Sequence, residues 1–343
     1  MDSFFIYRLP GESSFHGGAG TPRNGIHPGF VLSSFYNDEA ALLTIEAEKD
    51  FSISDLTLFQ DILNYDESFS EELFQRALYP LPESSISKEQ HLKNVADIIK
   101  ALGNGEKAIC CAPICGDDTL NLTQSFLNLA ESFPTAFVFC FYSPQSGIWI
   151  GASPELLMKK NEKQLCTIAL AGTRPAGTAE DWDEKNIEEQ KLVTDYIASV
   201  LDAYSLTFHF DSPPITKNAG SIEHLCTSFY IDSPKNFDKI WFSRFLSDFS
   251  PTPALCGMPK NKAYNLIKRT EIFSRGYYGG FIGPYNSDDD FSFFVLLRGL
   301  RVERKRWCFY AGGGITKSSD PQMEWDETRR KASSILDKIS YKE

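Results

Sequence analysis

Apolar residues Leu92, Val95, Ile98, Ile99 and Leu102 recur at three- and four-residue intervals, and Gly103 ends the pattern. That spacing predicts an amphipathic helix over residues 87–102. The apolar run Ile109-Cys110-Cys111-Ala112-Pro113-Ile114 predicts a strand beginning near Lys107. A helix is expected over 119–132, followed by strands at 136–142, 147–150 and 165–171. The next helix spans 183–204, with Val193, Ile197, Val200 and Leu201 on one face and Glu184, Glu188 and Glu189 in its first two turns. Strands return at 206–210, 222–231, 291–302 and 306–310, and a final helix covers 320–340. Upstream, to about residue 83, turns are expected at Gly17-Gly18-Ala19-Gly20 and His27-Pro28-Gly29, with strand-like runs at Phe30-Val31-Leu32 and Ala41-Leu42-Leu43-Thr44-Ile45. Strands and helices come in blocks rather than in strict alternation, which argues for an α+β fold with largely antiparallel sheets.

With 343 residues, 42% hydrophobic and 23% charged, the chain can bury a large core. The formal net charge of −12 repels phosphate backbones and anionic lipid, so neither nucleic acid nor membrane is an expected partner. An anionic ligand would need a local cationic site or a metal. The eight cysteines lack zinc-ligand spacing and read as reduced thiols, which points to the cytoplasm. No export signal or long uncharged apolar run is evident.

Several groups carry candidate chemistry. Glu324, Glu327 and Lys331 share one face of the last helix. Their spacing fits a solvated face, and it equally fits carboxylates converging with Glu189 on a hard cation. Ala311-Gly312-Gly313-Gly314-Ile315 follows a strand, where the glycines could make a tight turn or bring backbone N–H groups to an anion. Neither a Walker loop nor a dinucleotide fingerprint is present. Arg298 falls in an otherwise apolar strand, so an edge position, a buried ion pair and an anion clamp are the choices. No histidine stands in a nucleophile motif, and there is no GxSxG.

Four motifs, in order and spacing, resemble the chorismate-binding enzyme family: Gly151-Ala152-Ser153-Pro154-Glu155-Leu156-Leu157, Ile168-Ala169-Leu170-Ala171-Gly172-Thr173-Arg174, Ser250-Pro251-Thr252-Pro253-Ala254, and the triple glycine followed by Glu324-Trp325-Asp326-Glu327-Thr328. The likeness runs over residues 89–340. It implies a single large α+β domain of two layered antiparallel sheets with helices outside, in which 1–85 is a shortened N-terminal part of the unit and 86–343 the catalytic region. It also implies Mg2+ at Glu189 and Glu327 with Glu324 nearby, and chorismate as substrate, its carboxylates held by Arg298 and Lys331. Gly312 and Gly314 would supply backbone donors, and Ala171, Gly172, Thr173 and Thr227 would line the ring pocket.

Within the family, Lys107 matches the isochorismate and salicylate synthases, where ammonia-using members carry glutamine. The resemblance makes it the base that activates water, with Glu155 as general acid. Ala171 stands where aminodeoxychorismate synthases carry an attacking lysine. The implied reaction is the isochorismate synthase reaction, with salicylate synthesis and an inactive chorismate-binding protein as alternatives. No amidotransferase subunit is expected, oligomeric state is left open with a monomer slightly favoured, and the pathway served is menaquinone or siderophore synthesis. Three departures from the family pattern are Ser250 for histidine, Ala112 for arginine and Ser274 for aspartate.

Overall fold

The computed structural model describes residues 3–37, 41–52, 77–161, 164–219, 222–232, 238–303 and 305–342. The first strands are β1 (Ser3–Arg8), β2 (His16–Asn24), β3 (Gly29–Ser33), β4 (Leu43–Ser52), β5 (Lys107–Gly116), β6 (Phe137–Ser143), β7 (Gly147–Ser153), β8 (Leu156–Asn161) and β9 (Gln164–Pro175). They are followed by β10 (Phe208–Phe210), β11 (Ile215–Ala219), β12 (Ile222–Ile231), β13 (Gly257–Met258), β14 (Phe281–Ser287), β15 (Asp290–Val295), β16 (Gly299–Glu303) and β17 (Arg306–Ile315). The helices among the described residues are α1 (Lys88–Ala101), α2 (Leu122–Ser132), α3 (Glu184–Ala203), α4 (Lys239–Phe249), α5 (Lys260–Thr270) and α6 (Pro321–Leu336).

Every strand pairing among the described residues is antiparallel, and the ladder is continuous. One half runs β13–β5–β17–β16–β7–β6–β1–β2, and the other runs β4–β3–β14–β15–β8–β9–β12, with β10 and β11 both on β12. β2 joins the halves by pairing with β1 and with β4. The expected layered sheets are therefore two halves of one hydrogen-bonded sheet.

The halves close on each other through aromatic rings. Phe137 of β6 stacks on Phe294 of β15 with centroids 4.2 Å apart, and Phe5 of β1 on Phe30 of β3 at 5.0 Å. Side chains alternate along a strand, so Phe137, Phe139 and Phe141 face this interior while Val138, Cys140 and Tyr142 face a second core under α2 and α6. Burial on both faces explains why β6 reads as an unbroken apolar run with no period-two pattern.

Gly17-Gly18-Ala19-Gly20 is a correction: it lies inside β2 and is no turn. Glycine is needed there because a Cβ at Gly18 would press on Ala47 Cβ at 2.7 Å and on the Phe5 ring at 2.8 Å, where the sheet folds over. Helices α4 and α5 escaped the apolar periodicity. Both pack on their neighbours with polar residues interspersed, and Asp238 caps α4 by accepting from Trp241 N. The strand expected over 291–302 is two, β15 and β16, separated by a bend at Leu296-Leu297-Arg298. No helix among the described residues is long and apolar enough to cross a membrane.

Candidate active site

The candidate residues lie on the start of β5, the β7–β8 connection, the end of β9, the first turns of α3, β12, the end of β17 and α6. Lys107 opens β5 and is only 6% exposed. Its ammonium donates to the Glu189 carboxylate on α3, pairing residues far apart in sequence. Its stem lies across Gly314 of β17, where a Cβ would overlap Lys107 Cε.

Glu155 sits between β7 and β8. Its N–H donates to Ser153 Oγ at 3.3 Å, its carbonyl accepts from Val295 N at 3.0 Å, and its carboxylate accepts from Thr252 Oγ1 at 3.4 Å. Burial pushes its pKa up to about 7, against the opposing pull of the Thr252 bond and of the Lys107 and Arg298 charges. Thr252 belongs to the Ser250-Pro251-Thr252-Pro253-Ala254 motif, so that motif touches Glu155 directly. Ser250, by contrast, ends α4: its carbonyl accepts from Asn37 Nδ2 at 2.8 Å and from Lys260 Nζ at 2.9 Å.

Arg298 corrects the strand reading made from sequence. It occupies the bend between β15 and β16 at φ 50°, a left-handed conformation uncommon for a residue with a side chain. The bend is admitted by Gly151, whose Cβ would meet Arg298 O at 2.5 Å. The guanidinium has no hydrogen bond or ion pair with another described residue, and burial draws its pKa down while Glu155 and Tyr278 oppose that.

The three glycines lie within β17, a further correction, since sequence placed them after a strand. Gly312 faces Cys111 and Gly314 faces Ile109 across the ladder, and both partners send their N–H groups away from β17, to Glu271 Oε1 and to Cys256 O. In an antiparallel pair this means Gly312 and Gly314 also point their amides away from β5. Lys331 Nζ meets Gly312 O on that open side at 3.0 Å and Glu327 Oε1 at 2.7 Å. Gly313 faces the other way: a Cβ on it would stand 2.5 Å from Glu324 Oε2. Glu324, 9% exposed and accepting from Ser319 Oγ at 2.8 Å, therefore lies on the face of β17 opposite Lys107.

His224 was missed by sequence reasoning, because it stands beside no nucleophile. A bulge in β12 between Glu223 and Leu225 turns it toward the end of β9. Its Nδ1 lies 2.9 Å from Gly172 O and 3.1 Å from Thr173 Oγ1. A carbonyl only accepts, so Nδ1 carries the hydrogen and Nε2 is the accepting nitrogen of the neutral ring. Burial lowers the His224 pKa, with the Arg298 and Lys331 charges adding to that and the Gly172 carbonyl and the Glu189 charge opposing it. Gln190, also missed, is 1% exposed and fully used: it accepts from Ala171 N at 2.8 Å and donates to Ala169 O at 3.1 Å and Thr227 Oγ1 at 3.0 Å. Its signal was its place beside Glu189 on a face the periodicity marks as inward.

The carboxylate oxygens of Glu189 and Glu327 suit a hard divalent cation, and each already meets an ammonium. Among the described residues no group of three or more His, Cys, Asp or Glu is placed to hold a metal ion.

A model of chorismate-binding enzymes matches residues 36–340. The chain belongs to the chorismate-binding enzyme family. Among curated members, isochorismate synthase EntC of Escherichia coli (strain K12) is 31% identical over 213 residues, 59% of this chain and 54% of its own length. Isochorismate synthase MenF of the same organism is 34% identical over 197 residues, covering 54% of this chain and 44% of its own. The matched stretch thus spans about half the length of these relatives. Among solved structures, the menaquinone-specific isochorismate synthase MenF from E. coli superposes with a TM-score of 0.76 at 22% identity, covering 98% of this chain and 88% of that one. Anthranilate synthase component I from Streptococcus pneumoniae superposes at 0.66 and 18% identity, covering 96% and 76%. The chorismate-binding fold is thereby shown for this chain.

Proposed function

We propose that this chorismate-binding enzyme is an isochorismate synthase, with its catalytic region in residues 86–343. The observation that carries the reading is the environment of Glu155, a buried carboxyl bonded by Thr252 whose pKa is raised to about 7 against the pull of the Lys107 and Arg298 charges. That pairs a proton donor with an amine in one site, as an exchange of hydroxyl between two ring carbons requires.

In this scheme Arg298, Lys331 and the outward amides of Gly312 and Gly314 bind the two carboxylates of chorismate. Gly172, Thr173 and His224 bound the ring, while Ala171 and Thr227 are held in place by Gln190. To act as base Lys107 must first give up the proton it shares with Glu189; its free amine then takes a proton from water, whose oxygen bonds to C2 as the ring double bonds shift. Glu155 gives its proton to the C4 hydroxyl, which departs as water. Glu189 and Glu327 would hold Mg2+, which when bound neutralises substrate charge; Glu324, on the far face of β17, would anchor α6, which carries Glu327.

Chromatography of products from chorismate, with and without Mg2+, tests the scheme on wild type and Lys107→Gln. Isochorismate from wild type alone is the expected result. Salicylate with pyruvate would assign the rival synthase, and unchanged chorismate in every sample would leave a binding protein.

A further inference from the structure

Far from the site, Cys115 of β5 and Cys308 of β17 stand directly opposite each other. Both are free thiols, with Sγ atoms 3.0 Å apart. Cys115 N donates to Ser85 Oγ at 2.8 Å, away from β17, so the two residues form a non-hydrogen-bonded pair. In such a pair the Cα atoms approach to about 4.5 Å, within the range of about 4.4–6.8 Å that a disulfide spans. The register thus supplies the geometry before any oxidation occurs.

Access and reactivity are divided between the two sulfurs. Cys115 is partly exposed, whereas Cys308 is buried. The Cys115 thiol is held below its ordinary pKa, first by its hydrogen bond with Cys308 and then by the Arg306 charge, against desolvation and Asp117. The connector ahead of α1 covers this end of β5: Ser85 bonds Cys115, Ile86 N donates to Pro113 O at 3.1 Å, and Arg306 Nη2 donates to Pro82 O at 2.9 Å. An oxidant therefore meets one entry sulfur, Cys115, with a resolving sulfur, Cys308, directly opposite it on the paired strand.

We propose that Cys115 and Cys308 are a redox modification site that closes to a reversible cross-strand disulfide, with a small-molecule disulfide as oxidant. Cys115 thiolate attacks one sulfur of glutathione disulfide, forming a mixed disulfide and releasing one glutathione thiolate. Cys308 then attacks Cys115 Sγ, its proton passing to the second glutathione as that thiolate leaves. One protein S–S bond forms, one glutathione S–S bond breaks, and two electrons move from the protein thiols to glutathione. The bond would pin the β5–β17 register, whose opposite end carries Lys107, Gly312 and Gly314.

The test equilibrates the full chain with defined ratios of reduced to oxidised glutathione, blocks remaining thiols, and maps peptides by mass spectrometry without reduction. The expected product is a Cys115–Cys308 peptide in a chain lighter by two hydrogen atoms. Dithiothreitol should reverse it, and the thermal midpoint should rise by about 5 °C, since the link closes a long loop of the unfolded chain. A glutathione adduct that persists on Cys115 while Cys308 stays blockable would overturn the proposal, as would a link made through Cys166, the other partly exposed cysteine. Eight thiols unchanged at oxidising ratios would overturn it too.

Discussion

The Lys107 stem crosses β17 at Gly314, and its ammonium ends on Glu189 of α3. The missing side chain at position 314 is therefore what allows a buried lysine to reach from one strand to the helix beyond its neighbour. In Gly314→Ala the new methyl occupies the path of Cε, so Lys107 must swing away from Glu189. We expect at least a tenfold fall in kcat for chorismate conversion, with a stability loss of about 1–3 kcal/mol from overpacking. Steady-state kinetics beside urea unfolding reads both, and wild-type kcat in the variant would remove Lys107 from the scheme.

In the proposed scheme Glu155 sets the alkaline limb of the rate. Its carboxyl must carry a proton to serve as acid, and burial holds its pKa at about 7. The rate on chorismate should therefore fall about tenfold per pH unit above that point, and Glu155→Gln should be inactive at every pH. The same shift acts on stability with a definite sign. Folding raises this pKa above its unfolded value, so the folded state binds more protons between the two values; the contribution is fully present below the unfolded pKa and is lost as pH rises to about 7. Denaturation at several pH values should show wild type losing stability over this window relative to Glu155→Gln.

Arg298 combines a left-handed backbone with a guanidinium that has no described hydrogen-bond partner. Glycine adopts that backbone without strain, so Arg298→Gly should match or exceed wild-type stability, by up to about 1 kcal/mol. Loss of the cation should raise KM for chorismate more than tenfold. A variant that unfolds more easily and binds substrate normally would make Arg298 a structural residue.

Gln190 joins α3 to β9 and β12 by three hydrogen bonds. Gln190→Leu keeps the bulk and leaves Ala171 N and Thr227 Oγ1 unpaired, which should lower stability by about 2–4 kcal/mol. Urea denaturation followed by circular dichroism measures the change. A loss below about 0.5 kcal/mol would mean that water replaces the amide.

Much of this arrangement was legible in the residues. The periodicity of Leu92, Val95 and Ile98 marked α1, and the face carrying Val193 and Ile197 marked α3, because a helix must bury one stripe. The ordered motifs named the family and nominated Lys107, Glu155 and Glu189. Neither His224 nor Gln190 could be found that way. A bulge turns one and a helix-to-sheet contact consumes the other, and both arise only once β9, β12 and α3 are packed together.

What the sequence by itself determined was local: which stretches bury one face, which bury two, and which residue types are able to carry the chemistry. Only the tertiary structure decided that Gly312 and Gly314 are strand residues with outward amides, that Arg298 sits in a bend, and that Glu324 lies across β17 from Lys107. The physical reason is that strand register and side-chain facing depend on partners distant in the chain, and a one-residue shift in the β5–β17 pairing would turn Gly312 and Gly314 the opposite way.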